Sequence, residues 1–143
     1  MRSINTLIAL ATLAFASAAS AANAATLTVN ITDVTKVVGK MAVKLVASSD
    51  AYDDKAKATA AQMLDVKSIE PISMTFTDLK PGTYSVMVMH DENGNGQLDS
   101  NILGIPKEGY GFSNNPRVMR RPSFDETKFE VKSADLAITI ELL

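Results

Sequence analysis

Thr83-Tyr84-Ser85-Val86-Met87-Val88-Met89-His90 runs straight into Asp91-Glu92-Asn93-Gly94-Asn95-Gly96-Gln97-Leu98-Asp99. The first stretch is nearly all apolar and rich in β-branched and aromatic side chains. It reads as a central strand buried on both faces. The second stretch carries side-chain oxygens at every second position, Asp91, Asn93 and Asn95, and again at Asp99, with Gly96 after the third. That is the spacing of a calcium-binding loop, in which alternate side chains turn toward one hard cation and the glycine takes the sharp bend.

Outward from this centre, alternation dominates and helical periodicity is scarce. Asp78-Leu79-Lys80-Pro81-Gly82 is a turn, with Pro81 presetting one dihedral and Gly82 free to take a positive φ. Before it, Ile72, Met74 and Phe76 alternate with Ser73, Thr75 and Thr77. Leu27, Val29 and Ile31 alternate with Thr28, Asn30 and Thr32, and Met41, Val43 and Leu45 follow the same rule. Residues 59–67 read as a strand. Residues 48–57 hold at most a helical turn capped by Ser49 or Asp50. Lys128–Val131 and Leu136–Leu142 close the count. About seven short strands joined by turns predict an all-β, antiparallel Ig-like or prealbumin-like sandwich. Residues 100–122, with three glycines and three prolines, form its one long loop.

The two ends and the composition bound the setting. Arg2, the apolar run Leu7–Ala19 and Ala22-Asn23-Ala24 have the form of a secretory signal peptide over residues 1–24. A single domain, 25–143, is expected to remain, exported to the periplasm or secreted. The chain has no cysteine, which excludes attachment as a lipoprotein and leaves stability to the core and any bound ion. No later apolar stretch is long enough to span a membrane. Loss of Arg2 takes the formal charge from −2 to −3, a balance that disfavours nucleic acid as a partner.

As a metal site the loop is incomplete. Asp91, Asn93 and Asn95 occupy its first, third and fifth positions. Gln97 offers a backbone carbonyl at the seventh, and Asp99 sits at the ninth. Ile102 stands where a bidentate Glu is expected, so the missing ligand has to come from elsewhere, with Glu108 or a backbone carbonyl as candidates. The competing reading is an ordinary Asn-Gly hairpin turn with solvated carboxylates. His90, the single histidine, shares a face with Tyr84, Val86 and Val88, and is either a hydrogen-bonded strand-end residue or a functional group. Tyr110 and Phe112 flank Gly111. They offer a ring pair for a sugar or peptide, or they cap the end of the core. Arg117, Arg120 and Arg121 suit a carboxylate or phosphate, or else pair with Asp125 and Glu126. Ser113 lacks a nucleophile-elbow context, and no zinc-binding histidine pair exists.

Leu79-Lys80-Pro81-Gly82-Thr83-Tyr84, then His90 through Asp99, and Leu103-Gly104-Ile105-Pro106-Lys107-Glu108-Gly109-Tyr110-Gly111-Phe112-Ser113-Asn114 resemble the signature of an exported bacterial family, domain of unknown function 2141. The resemblance implies export and a compact β-rich domain, and supplies no catalytic residues. Residues 76–99 are also similar to prealbumin-like modules of surface proteins. The expectation is a non-enzymatic binding or structural module of the cell envelope, with calcium ordering 91–99 and an envelope or extracellular ligand or protein as partner. The alternative is an envelope enzyme using His90 with Asp91 or Glu108 on a small anionic or carbohydrate substrate.

Overall fold

The computed structural model describes residues 24–143. The signal-peptide assignment, 1–24, lies outside the described residues but for Ala24. Two sheets pack face to face as an all-β sandwich. The first has strand order β4-β1-β8, with β1 Ala25–Thr32, β4 Ile72–Leu79 and β8 Leu136–Glu141. The second has order β3-β2-β5-β6, with β2 Lys40–Val46, β3 Ala60–Asp65, β5 Gly82–Asp91 and β6 Tyr110–Phe112. A further strand, β7 (Phe129–Val131), lies beyond β6 along the same side of β5. Thus β6 pairs Met87–Met89 and β7 pairs Gly82–Tyr84. All pairs are antiparallel except β1 with β8, which run parallel.

Burial follows the alternation. Leu27, Val29 and Ile31 of β1, Met41, Val43 and Leu45 of β2, Met74 and Phe76 of β4, and Tyr84, Val86 and Val88 of β5 form one core between the sheets. Hydrophobic burial supplies most of the drive, at about 25 cal/mol per Å² of apolar surface removed from water. β5 is covered on its outer face too, though less fully: Ser85 is buried, while Met87 and Met89 are half-buried. Met87 packs on a second cluster of Val46, Ala51, Tyr52, Phe112 and Phe124.

Several details differ from the sequence reading. The turn of helix α1 (Ser49–Tyr52) is capped by Ser48, not by Ser49 or Asp50, because the Ser48 Oγ accepts the Ala51 N–H at 3.2 Å. A second turn, α2 (Phe124–Thr127), starts at a Ser123/Glu126 capping box. The 100–122 segment is not one open loop, since β6 interrupts it. No helix among the described residues is long and apolar enough to cross a membrane.

Candidate functional site

The end of β5 delivers His90 and Asp91 to one rim of the sandwich. His90 sits on the core face, as alternation requires, and is 1 % exposed. Its Nε2 lies 2.7 Å from the Val38 carbonyl, an acceptor only, so Nε2 carries the proton and donates it. The His90 backbone N–H goes to the Gly109 carbonyl at 2.8 Å. Gly39, at φ +63°, presses against the next peptide. A Cβ there would fall 2.0 Å from the Asp91 carbonyl oxygen, so the loop's first residue is held from outside as well as from within.

Asp91 is 2 % exposed, and its carboxylate receives three backbone donors. Oδ1 accepts from Gly94 (2.9 Å) and Asn95 (3.1 Å), and Oδ2 from Gly96 (2.9 Å). Gly94 and Gly96 both take positive φ, which lets the chain curl around the carboxylate. Asn93 Oδ1 accepts the Asn95 N–H, and Asn95 Oδ1 accepts the Gln97 N–H, each forming a local turn. The Asn93 and Asn95 amides both donate to the Asp99 carboxylate. Gln97 is exposed at the outer rim.

Glu108 closes the ring. It is 6 % exposed, and its two oxygens accept the Glu92 N–H at 3.0 Å and the Asp99 N–H at 2.9 Å. One carboxylate therefore ties the loop's entry to its exit. Glu108 was a candidate for the missing ligand; the structure brings it to the loop, facing backbone donors.

The donor set is of the oxygen class that suits calcium: two loop carboxylates, two amide oxygens and a nearby glutamate. Among the described residues, however, no three His, Cys, Asp or Glu side chains converge as a metal-holding group. The Asn93 and Asn95 N–H groups that reach Asp99 are the donors a cation would have to replace.

Beyond Asp99 the chain makes a small hairpin that sequence patterning misses. Lys107 N–H bonds the Asp99 carbonyl, Asn101 N–H bonds Ile105, and Asn101 Oδ1 takes the N–H groups of Leu103 and Ile105. Ile102, Leu103 and Ile105 stand exposed at its tip. The signal available was Asn101 three residues before Gly104, a turn pair inside an apolar run.

The remaining candidates separate. Phe112 packs with Tyr52, ring centroids 6.3 Å apart, as part of the second cluster, and Tyr110 meets Phe112 edge-on. Gly111 brings β6 against β8: a Cβ there would lie 2.6 Å from Ile140 Cγ2. Ser113 is buried; its Oγ accepts the Val86 N–H and donates to the Thr127 carbonyl. Arg117 pairs with Glu141 and Arg120 with Glu126, whose carboxyl is pulled down to about 2 by Arg120 first and then by the Ser123 N–H and hydroxyl. Asp125 pairs with Lys128 rather than with an arginine. Arg121 has no carboxylate within ion-pair distance among the described residues. Instead it lies over the Tyr52 ring at 4.7 Å and donates to the Tyr52 carbonyl. Burial raises the Tyr52 phenol, and Arg121 opposes that shift.

Two hollows result. An open cleft of about 580 Å³ lies between α1 and α2, lined by Ser49, Tyr52, Asp53, Arg121 and Phe124. A smaller one of about 230 Å³ is lined by Lys36, His90, Glu92, Lys107 and Glu108. His90 and Glu108 thus share a hollow whose cations are lysines, while Arg121 lines the other.

The family model described as "Uncharacterized protein conserved in bacteria (DUF2141)" matches residues 29–139. No curated protein and no solved structure matches the chain.

Proposed function

We propose that this chain, which belongs to that uncharacterized bacterial family, is an exported, non-catalytic binding or structural module of the cell envelope, whose 91–108 loop organises a contact surface over residues 100–122. The observation that carries the reading is the Glu108 carboxylate, with one oxygen on the loop's first turn and the other on its last. The buried acids at this rim are spent on backbone N–H groups, as is the proton-bearing nitrogen of His90 on a carbonyl. Groups so engaged position a chain; they are poorly placed to move a proton to or from a substrate.

Calcium belongs to the proposal as the ion that orders the loop. It would be held by Asp91, Asn93, Asn95 and Asp99 with the Gln97 carbonyl, and would take over at Asp99 the role now filled by the two Asn amides. With two charged loop side chains the affinity suits a calcium-rich exterior. The test is a thermal melt of residues 25–143 after chelation, with calcium returned stepwise. A midpoint that climbs with calcium and ignores equal magnesium supports the reading by mass action. A midpoint indifferent to both reduces residues 91–99 to a self-closed turn.

The His90–Glu108 hollow favours a second reading, an enzyme acting on a small anion held by Lys36 and Lys107. That reading requires His90→Gln to abolish turnover of such a substrate while leaving the fold intact.

A further inference from the structure

The sandwich has several open edges, and most are blocked by identifiable groups. On β8, Asn115 accepts the Glu141 N–H and donates to the Thr139 carbonyl. On β6, Tyr110 exchanges backbone bonds with Leu143. β7 is only three residues long. Across β4, the Gln62 side chain reaches the Thr75 carbonyl at 2.6 Å, so a strand laid there would have to displace it.

β3 is different. Its register with β2 runs unbroken from Lys40 opposite Asp65 to Leu45 opposite Ala60. The Val66 N–H bonds the Gly39 carbonyl, so in this antiparallel ladder Ala60, Gln62 and Leu64 bond toward β2. Ala61, Met63 and Asp65 therefore turn their N–H and C=O groups outward. The strand has no Lys, Pro or bulge, the usual means of blunting an edge. Met63 and Leu64 are 55 % and 47 % exposed.

We propose that β3 is a self-pairing edge and that its occupant is β3 of a second copy of this chain. The strand is self-complementary in one antiparallel register, with Met63 opposite Met63 of the partner copy and Ala61 opposite its Asp65. In that register all the outward groups of Ala61, Met63 and Asp65 are satisfied on both copies. The strand's single charge is kept away from its like, which a parallel pairing would place side by side. Leu64 falls opposite Gln62 on the other face. The result joins two β3-β2-β5-β6 sheets into one continuous sheet with a closed two-fold interface. An interface built on one short strand belongs to the small, transient class, below about 1,200 Å².

Sedimentation velocity of the 25–143 chain over rising concentration tests this. The expected result is a reversible monomer–dimer equilibrium. Met63→Lys sets two lysines face to face and weakens the dimer at least about tenfold. Met63→Glu does the same, and an equimolar mixture of the two variants restores it. Met119→Lys, a control at a fully exposed residue outside any strand, leaves it unchanged. A wild-type chain that stays monomeric throughout, or a Met63→Lys chain that dimerises as well as wild type, overturns the proposal.

Discussion

The Glu108 carboxylate lies 2.9 Å from the Asp99 backbone nitrogen, and through that contact a residue nine positions downstream fixes where the loop ends. The other oxygen of the same group holds Glu92. Glu108→Gln replaces one acceptor by an amide that faces an N–H donor. The cost expected for one such buried, unsatisfied donor is about 1–3 kcal/mol. Chemical denaturation of the two proteins measures it, and limited proteolysis of the variant should cut first within 91–108.

Gly39 and Gly94 both take positive φ but differ in surroundings. At Gly94 nothing lies within 4 Å of an added Cβ, so Gly94→Ala should lose only the left-handed penalty, about 1 kcal/mol. At Gly39 the Cβ meets the Asp91 carbonyl, and Gly39→Ala should lose at least about 3 kcal/mol. Equal losses in paired unfolding curves would show that the Gly39 approach to Asp91 does not matter.

How much of this was legible in the sequence depended on burial. β1, β2 and β4 were readable because each hides one face, which writes alternation into Leu27, Val29 and Ile31 or Ile72, Met74 and Phe76, and β5 because, covered on both faces, it is a nearly unbroken apolar run. β3 is exposed on both faces, so Ala60–Asp65 carries little pattern, and its edge chemistry emerged only from the register. Parity also cannot tell the direction of a partner, so the parallel β1–β8 pairing left no trace. At the rim, Asp91 and the Asn93/Asn95 spacing were visible because the ligating pattern is local. The Glu108 clamp joins segments that only folding brings together. The Ser123-x-x-Glu126 capping box was a readable signal for α2 that the strand pattern obscured.

The Arg120–Glu126 pair gives a pH signature. Glu126 titrates at about 2 in the folded chain against an ordinary 4.5, so the folded state holds this proton more weakly. The pair therefore favours folding above pH 4.5, and that contribution is lost as pH falls from 4.5 toward 2. Carboxyl NMR should place the Glu126 midpoint near 2 in the wild type and move it back toward 4.5 in Arg120→Ala. An unmoved midpoint would assign the shift to Ser123 alone.

The central claim, that the 91–108 loop is an ion-ordered scaffold for the surface beside it, is tested most directly by amide hydrogen exchange of residues 91–122 in calcium and in chelator. The account predicts that the N–H groups of Glu92, Gly94, Asn95, Gly96 and Asp99 are already slowed in chelator. Calcium should slow them further, together with those of Leu103 and Ile105, and Asp91→Ala with Asp99→Ala should remove the calcium effect and, at Gly94, Asn95 and Gly96, the protection seen in chelator. Exchange that is fast at these amides, or indifferent to calcium across the segment, would contradict it.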